Sequence, residues 1–269
     1  MLLKDKTAVV FGAGGAIGSQ VAEIFSREGA TLFLSGIHID RINSIASRLK
    51  NKTDHKNNVY VDEIDALNEK SINIYFENII NQPDKMDIVF NATGIQPIDG
   101  HYGKPATELS YDKFLLPLMA HTGTQFLTAR AAAKHMIPQG SGVILTLSAS
   151  VGQRPTPFMA GIASACAAIE GMTRSLAAEF GPKGIRVICL RPSAMPETRT
   201  IRQTYTANAQ TMGITKEKLT AIIQESTLLK HSVTLTETAE IAAFLVSDRA
   251  TALTGQTVDV SCGEIHGVG

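Results

Sequence analysis

A run of glycines with the spacing of a phosphate-binding loop follows a short apolar segment near the start of the chain. The segment TAVVFG at 7–12 leads into GAGGAIG at 12–18, and an apolar pattern with helical spacing comes next. Glycines at a strand-to-helix turn let the backbone approach a pyrophosphate, whose charge then rests at the helix N-terminus. The alternative is a tight turn with no ligand. The flanking strand and helix patterns favour phosphate binding.

The rest of the chain alternates short β-branched runs with longer helical patterns, which predicts an α/β fold with a mostly parallel sheet. The predicted strands are 7–12, 30–36, 58–65, 86–94, 141–149, 184–192 and 257–262. The predicted helices are Ile17–Glu28, Asp40–Lys50, Asn68–Asn81, Tyr111–Met136, Ala160–Phe180 and Glu237–Ser247. The polar stretch 196–236 interrupts this alternation. We expect one domain over 1–269, with 196–236 as a lid over a crevice at the strand C-termini.

Composition excludes several classes of function. Twenty-five basic residues balance twenty-five acidic ones among 269 residues, so no basic patch indicates a nucleic-acid or membrane-surface binder. No apolar run reaches the length of a membrane span, and strand-like sequence already begins at Thr7. Three scattered cysteines argue against a disulfide framework or a metal site and fit a reducing cytoplasm.

Several motifs, in their order, resemble the short-chain dehydrogenase/reductase family over nearly the whole chain. The glycine loop is similar to TGxxxGxG, with Phe11 and Ala16 as departures, and NATG at 91–94 is similar to NNAG. The other matching positions are Asp65-Ala66, Met136, Gly142-Val143-Ile144, Gly184-Ile185-Arg186-Val187, Arg191-Pro192-Ser193 and Thr254-Gly255. The resemblance implies a Rossmann-like, doubly wound sheet of about seven strands with helices on both faces.

The resemblance also implies a nicotinamide dinucleotide and assigns residues to it. The implied phosphate-binding residues are Gly12, Gly14, Gly15, Ile17 and Gly18. Asp65 and Ala66 would flank the adenine, and Asn91, Ala92 and Gly94 the ribose. Pro192, Met195 and Thr198 would approach the carboxamide. A strand-end cap at Asp65 and a turn former at Asn91 are the structural alternatives.

The choice between NAD(H) and NADP(H) depends on the end of the second strand. NAD users place a carboxylate there, whereas NADP users place a base for the 2′-phosphate. Gly36 occupies the acidic position, and His38 and Arg41 are the nearby cations. These residues favour NADP(H) weakly, and NAD(H) stays open.

The residues that the family uses for proton transfer are replaced in this chain. The resemblance places Ile162 at the Tyr position, Cys166 at the Lys position, Ala149 at the Ser position and His121 at the Asn position. No Tyr or Lys occurs between Lys134 and Lys183, so a shifted alignment does not restore the motif. The catalytic residues therefore stay unassigned.

Three groups could take over the missing acid, and two of them, His121 and Cys166, have a structural alternative. His121 is ionisable near neutrality but also suits helix packing. Cys166 suits a small buried hydrophobe, because no neighbouring base in the sequence activates it. Tyr102, beside His101 on the loop after NATG, could reach over the pocket.

The sequence leaves two candidate functions open. The first is an NAD(P)-dependent oxidoreductase with an atypical active site, acting on an apolar small molecule such as a conjugated alkene. The second is a catalytically silent NAD(P)-binding subunit that serves as a sensor or scaffold. By the resemblance, the helices predicted at 111–136 and 160–180 would form the seam of a homodimer or homotetramer.

Overall fold

The computed structural model describes residues 1–52, 58–80 and 85–264, which fold around a seven-stranded parallel sheet. Its strands are β1 Thr7–Phe11, β2 Thr31–Gly36, β3 Val59–Glu63, β4 Ile88–Asn91, β5 Gly142–Leu147, β6 Ile185–Pro192 and β7 Thr257–Val260. They are arranged in the order β3-β2-β1-β4-β5-β6-β7. Each strand lies inside its predicted range, and the predicted parallel α/β sheet is confirmed. The order reverses between β1 and β4, where such sheets open a crevice at the strand C-termini.

Nine helices surround this sheet in the described parts of the chain. They are α1 Ala16–Arg27, α2 Ile39–Lys52, α3 Glu69–Ile80, α4 Tyr111–Pro117, α5 Thr124–Gln139, α6 Ala160–Phe180, α7 Arg199–Thr211, α8 Lys216–Glu225 and α9 Leu235–Val246. Asn81, the predicted end of the third helix, lies outside the described residues. Within the described ranges, no helix has the length and apolar character needed to cross a membrane.

Alternation along the strands sends apolar side chains to two separate cores. In β1, Ala8 and Val10 pack on the side of α1, α2 and α9. Val9 and Phe11 pack on the opposite side, against α3, α5 and α6. Both faces of the sheet are therefore covered, as the doubly wound arrangement requires.

The helix predicted over 111–136 is interrupted. A π-helical segment, Leu118–Gly123, separates α4 from α5, and α5 runs on to Gln139. Pro117 ends α4; proline lacks the N–H that a regular helix needs, which accounts for a break at this point. The chain leaves α5 at Gly140, whose φ of 71° lies in the left-handed region that favours glycine. The wide π turn carries His121, so this irregularity positions a candidate site residue.

The polar stretch 196–236, which the sequence pattern leaves without an element, folds into α7 and α8. The hydroxyls of Thr198 and Thr215 accept hydrogen bonds from the first turns of these helices, at Ile201 N and Lys218 N. Polar N-caps thus account for part of the composition that resembles a loop. The apolar residues of α7 and α8 pack together over the C-terminal edge of the sheet.

A buried chain of charges ties α6 to the sheet. Glu170 of α6 accepts a hydrogen bond from Arg191 Nη1 at 2.9 Å, and Arg191 donates two further bonds of 2.6 Å to Asp259 of β7. The other oxygen of Glu170 accepts from Ser148 Oγ at 2.9 Å. The side chains of Arg191 and Glu170 are 8% and 11% exposed, so water screens their attraction only weakly.

Replacing Glu170 by alanine is expected to destabilise the fold. The variant leaves Arg191 buried with Asp259 as its remaining carboxylate partner. It also removes the nearest acceptor of Ser148 Oγ, which keeps Cys166 O at 3.3 Å. We expect a loss of about 3 kcal/mol, at the low end for breaking a buried ion pair. Denaturant unfolding measures this loss.

The matched control is Asp248→Ala, which removes the exposed Lys6–Asp248 ion pair. Its cost is expected to stay within about 1 kcal/mol. Equal effects of the two substitutions would contradict the assignment of the buried chain as an anchor.

Candidate active site

The glycine loop forms a cradle that larger residues would fill. Gly12 has a φ of 71°, and a Cβ there would lie 2.8 Å from the backbone of Ala92 and Thr93. A Cβ on Gly18 would collide with the carbonyl of Gly12. Gly15 caps α1 without a side-chain hydrogen bond, so the first-turn N–H groups have no side-chain cap. This arrangement fits a bound phosphate group.

The segment after β4 lies directly against the glycine loop. Ala92 and Gly94 line the same cavity as Gly15 and Ile17. Asn91 lies beneath them and is buried: its amide nitrogen donates to Thr128 Oγ1 at 3.0 Å, and its amide oxygen accepts from Thr93 N at 2.8 Å. The side chain of Asn91 therefore shapes this turn from inside.

Residues after β6 form the next wall of the cavity. Pro192, Met195 and Thr198 all line it. The Thr198 hydroxyl donates to Met195 O at 2.9 Å while it caps α7, and Met195 Sδ accepts from Thr238. These contacts fix the start of α7 beside the glycine loop.

The residues predicted at the adenine end lie at the surface around β2 and β3. Asp65 is exposed, and its carboxylate accepts a hydrogen bond from Leu67 N at 2.9 Å; Ala66 is buried. His38 is exposed. Arg41 is close to the loop, because a Cβ on Gly14 would lie 3.5 Å from Arg41 Cβ. Arg41 is therefore a cation near the end of β2, whose last residue is Gly36 and not a carboxylate.

The four residues that the resemblance predicts at the catalytic positions line one cavity of about 440 Å³: His121, Ala149, Ile162 and Cys166. Ile162 and Cys166 are on the inner face of α6, where Ala149, Tyr102 and Met159 pack around them. Burial raises the pKa of the Cys166 thiol to about 12. The thiol is therefore protonated at neutral pH and unreactive as a nucleophile.

His121 reaches the cavity from the π-helical segment. Its imidazole lies against Gly94, where a Cβ would approach His121 Cε1 to 2.6 Å. Its Nε2 is buried and has no hydrogen-bond partner among the described residues. Burial lowers the pKa of His121 to about 4, so the ring is neutral at physiological pH.

Tyr102 contributes a hydroxyl to the cavity from the loop after β4. Its Oη is buried without a hydrogen-bond partner in the described part of the chain. Burial raises the pKa of Tyr102 well above its ordinary value. The loop is held by bonds from Tyr102 N to Pro97 O and from Gly103 N to Phe158 O, both at 3.0 Å. His101, the other residue considered on this loop, has a left-handed φ of 50°.

Several residues of the cavity have no signal in the sequence. Arg154 pairs with Glu264, which also accepts from Ser193 Oγ at 2.7 Å, and all three line the wall. Tyr205 and Asn208 of α7 add buried polar atoms that lack partners among the described residues. Arg154 and Glu264 are 110 positions apart, so only the fold brings them together.

Comparison with known proteins identifies related reductases. A family model described as enoyl-(acyl carrier protein) reductase matches residues 12–264. A peroxisomal 2,4-dienoyl-CoA reductase of Danio rerio is 26% identical over 257 residues, covering 96% of this chain and 80% of the relative. A 3-oxoacyl-acyl-carrier-protein reductase of Rickettsia felis is 27% identical, and the match covers 97% of each chain.

Solved structures share the fold. The crystal structure of an NAD⁺-bound xylitol dehydrogenase superposes with a TM-score of 0.90 at 21% identity, covering 98% of this chain and 100% of that one. At this identity the likeness speaks for the fold alone.

The half-buried His121, whose Nε2 is fully buried, is expected to make stability depend on pH. Its pKa is about 4 in the folded chain and about 6.5 in an unfolded chain. As pH falls from about 6.5 to about 4, the unfolded chain takes up a proton that the folded chain does not, so stability is lost in this window. His121→Asn removes this dependence, worth up to about 3 kcal/mol.

Denaturant unfolding of both proteins at several pH values measures the effect. Carboxyl groups titrate in both proteins, so the difference between the two curves isolates His121. Parallel curves would show that His121 is solvated or partnered in the folded protein.

Proposed function

Because the chain belongs to the short-chain dehydrogenase/reductase family, we propose that it is an NAD(P)H-dependent oxidoreductase. Its proton donor would lie on a different residue from the family's tyrosine. One observation carries this proposal: the cavity beside the glycine loop holds the Tyr102 hydroxyl and His121 Nε2, both buried and without partners among the described residues. Leaving such groups unpaired costs about 1–3 kcal/mol each, and a bound ligand would supply the missing partners.

The proposed cofactor is a nicotinamide dinucleotide, with NADP(H) preferred. Xylitol dehydrogenase and 7α-hydroxysteroid dehydrogenase, two structural neighbours, contain NAD⁺ and NADH. In this chain the glycine loop would hold the pyrophosphate on the N-terminus of α1. Gly36 leaves the end of β2 without a carboxylate to repel a 2′-phosphate, and Arg41 and His38 would attract it.

Tyr102 would supply the hydrogen bond that Ile162 cannot. It packs against Ile162, Cys166 and Ala149, beside the positions that the family uses for the acid, its tuning residue and the oxygen clamp. The bound cofactor supplies the hydride. Because burial keeps Tyr102 protonated, its hydroxyl would donate to the substrate oxygen as negative charge develops there.

The substrate proposed for this cavity is an apolar carbonyl compound with a conjugated C=C bond. Hydride addition to the β-carbon leaves an enolate oxygen, which needs a hydrogen-bond donor more than a strong acid. The apolar cluster around Ile162 would bind the hydrocarbon. Two relatives are named as a 2,4-dienoyl-CoA reductase and a 3-oxoacyl-acyl-carrier-protein reductase. Both names describe acyl thioesters, and a dienoyl-CoA is a conjugated compound of the proposed class. Residues 196–236, with α7 and α8 over the cavity, are the proposed lid of a single domain.

A silent nucleotide-binding subunit is the second candidate. The observation that favours it is the apolar packing of Ile162 and Cys166, which leaves neither of the two positions able to move a proton at neutral pH. Such a subunit would bind the dinucleotide with no turnover.

Assembly and location follow from the same family features. A homodimer or homotetramer would bury the outer face of α6 and the outer faces of α4, the π-helical segment and α5, where Tyr111, Met119 and Phe126 are exposed. The three cysteines are free thiols, which suits the proposed cytoplasmic location.

Cofactor binding is tested by titrating the protein with NADPH and NADH and following nucleotide fluorescence. We expect micromolar binding with NADPH tighter, and loss of that preference in Arg41→Ala. Gly14→Val should abolish binding of both, because the branched side chain blocks the pyrophosphate.

The fold should tolerate the Gly14 substitution. Gly14 has no positive φ, and a Cβ there makes only ordinary contacts with Arg41 and Ile42. Gly181→Val, where a Cβ meets nothing within 4 Å, is the matched control. Unchanged affinity in Gly14→Val would remove the loop from the cofactor site.

The role of Tyr102 is tested with NADPH and a panel of a dienoyl thioester, an α,β-unsaturated ketone and a saturated ketone. We expect turnover of the conjugated substrates. Tyr102→Phe should lower kcat about 10²–10³-fold, as loss of one oxyanion donor does, and leave NADPH affinity unchanged.

Tyr205→Phe is the matched control, because it removes another buried hydroxyl from the same cavity. It should change KM more than kcat. NADPH binding without turnover of any substrate would instead support the silent subunit, and full activity in Tyr102→Phe would exclude Tyr102 as the donor.

A further inference from the structure

Three side chains with metal-binding groups meet outside the cavity. His231 lies between α8 and α9, Glu237 is in the first turn of α9, and Cys262 follows β7. One ligand atom from each lies within 4.8 Å of the others. We propose that His231, Glu237 and Cys262 bind a zinc ion, with water in the fourth position.

The separations match a tetrahedral zinc site. Bond lengths of about 2.3 Å to sulfur and about 2.0 Å to nitrogen, at the tetrahedral angle, put the two atoms about 3.5 Å apart. Cys262 Sγ lies 3.5 Å from Nδ1 and 3.9 Å from Nε2 of His231. Nδ1 also lies 3.1 Å from Ser232 O, and donation to that carbonyl leaves Nε2 for the metal. Nε2 and Sγ, which lie 3.9 Å apart, would then approach each other by a few tenths of an ångström when the ion binds.

The chemistry of the three groups selects zinc among common cations. Thiolate and imidazole are ligands of borderline-soft metals, whereas magnesium and calcium take oxygen ligands. The thiolate and the carboxylate together carry two negative charges, which balance the ion. Cys262 is a free thiol, so a metal ion that binds it as a thiolate would release its proton.

Backbone contacts already hold the three residues in place. Leu229 N donates to Cys262 O at 3.1 Å, which joins the segment after α8 to the segment after β7. Glu237 closes a capping box with Thr234, and the two bonds that its carboxylate accepts from Thr234 both use Oε2. Its Oε1 takes part in neither, so a metal could bind there without opening the cap.

The proposed zinc site lies close to the cavity along the chain. Glu264, two residues after Cys262, lines the cavity and pairs with Arg154 and Ser193. Thr227 pairs with Glu264 in an antiparallel bridge. A bound zinc ion would therefore fasten the end of the 196–236 stretch to the segment that carries Glu264.

The sequence alone points the other way, because its scattered cysteines predict no metal site. Cys262 and His231 are 31 positions apart and share no motif spacing. The parallel sheet and the turn after β7 bring them together. The distance of 3.5 Å also suits a simple thiol–imidazole hydrogen bond, which the experiment separates from metal binding.

Cobalt is the spectroscopic probe for this site. Untagged full-length protein is treated with a chelator, dialysed and titrated with Co²⁺, and absorbance is recorded. We expect one Co²⁺ per chain, a thiolate-to-cobalt charge-transfer band in the near ultraviolet, and loss of the band when Zn²⁺ displaces cobalt. Zn²⁺ should also raise the thermal midpoint of the wild type.

Variants assign the ligands. Cys262→Ser should remove the charge-transfer band, and His231→Gln and Glu237→Gln should weaken binding by at least about tenfold. Glutamine at 237 preserves the capping box, so this variant tests the ligand with the helix start intact. Cys189→Ser and His135→Gln remove the same side-chain types elsewhere and should bind cobalt like the wild type.

Three results would overturn the proposal. They are no thiolate band in the wild type, a band that survives in Cys262→Ser, and equal binding by all variants, which means an adventitious ion only. If Cys262→Ser does not fold by circular dichroism, Glu237→Gln and His231→Gln decide the outcome by the same titration. Dinucleotide binding is not needed for any of these readouts, so they are independent of the proposed oxidoreductase function.

Discussion

The buried contact between Glu170 and Arg191 determines where the candidate active site lies. Arg191 is fixed on β6 and held from the other side by Asp259, so Glu170 sets the height and rotation of α6 on the sheet. Cys166 is four residues before Glu170, about one helical turn along the same face, and Ile162 is one turn further. An internal pair of opposite charges costs desolvation energy, but its geometry admits few alternatives. The orientation of the pocket depends on this constraint.

Around this fixed helix, two ionisable side chains that face the cavity lie on irregular parts of the chain. The inner face of α6 presents an isoleucine and a protonated thiol, while a tyrosine arrives from the loop after β4 and a neutral histidine from the π-helical segment. Both come from irregular backbone, whereas the apolar residues lie on a regular helix. These two ionisable side chains and the apolar wall of the cavity therefore lie on different structural elements. The two side chains could change in evolution while α6 keeps its packing.

Strand positions and the parallel sheet could be predicted from the sequence because β-branched runs and glycine-bounded turns are local signals. The C-terminal end of α6 could also be predicted, because Gly181-Pro182 stops the helical pattern. The prediction of one helix over 111–136 is wrong at Leu118–Gly123, because the helical spacing of apolar residues outweighs Pro117, which is itself a sequence signal for a break. The pairing of Arg154 with Glu264 depends on tertiary structure alone. The placement of His121, Ala149, Ile162 and Cys166 on one cavity agrees with the motif spacing, but their chemistry rests on burial, which the sequence does not contain.

The π-helical segment has a consequence for the direction in which the side chains around it point. A π turn holds one residue more than an α turn, so Leu118–Gly123 contains more residues than a regular helix of the same length would. Each residue turns an α-helix by about 100°, so the extra residue re-aims everything on one side of it relative to the other. A gene lacking one codon here would encode a straight helix that turns this histidine out of the pocket.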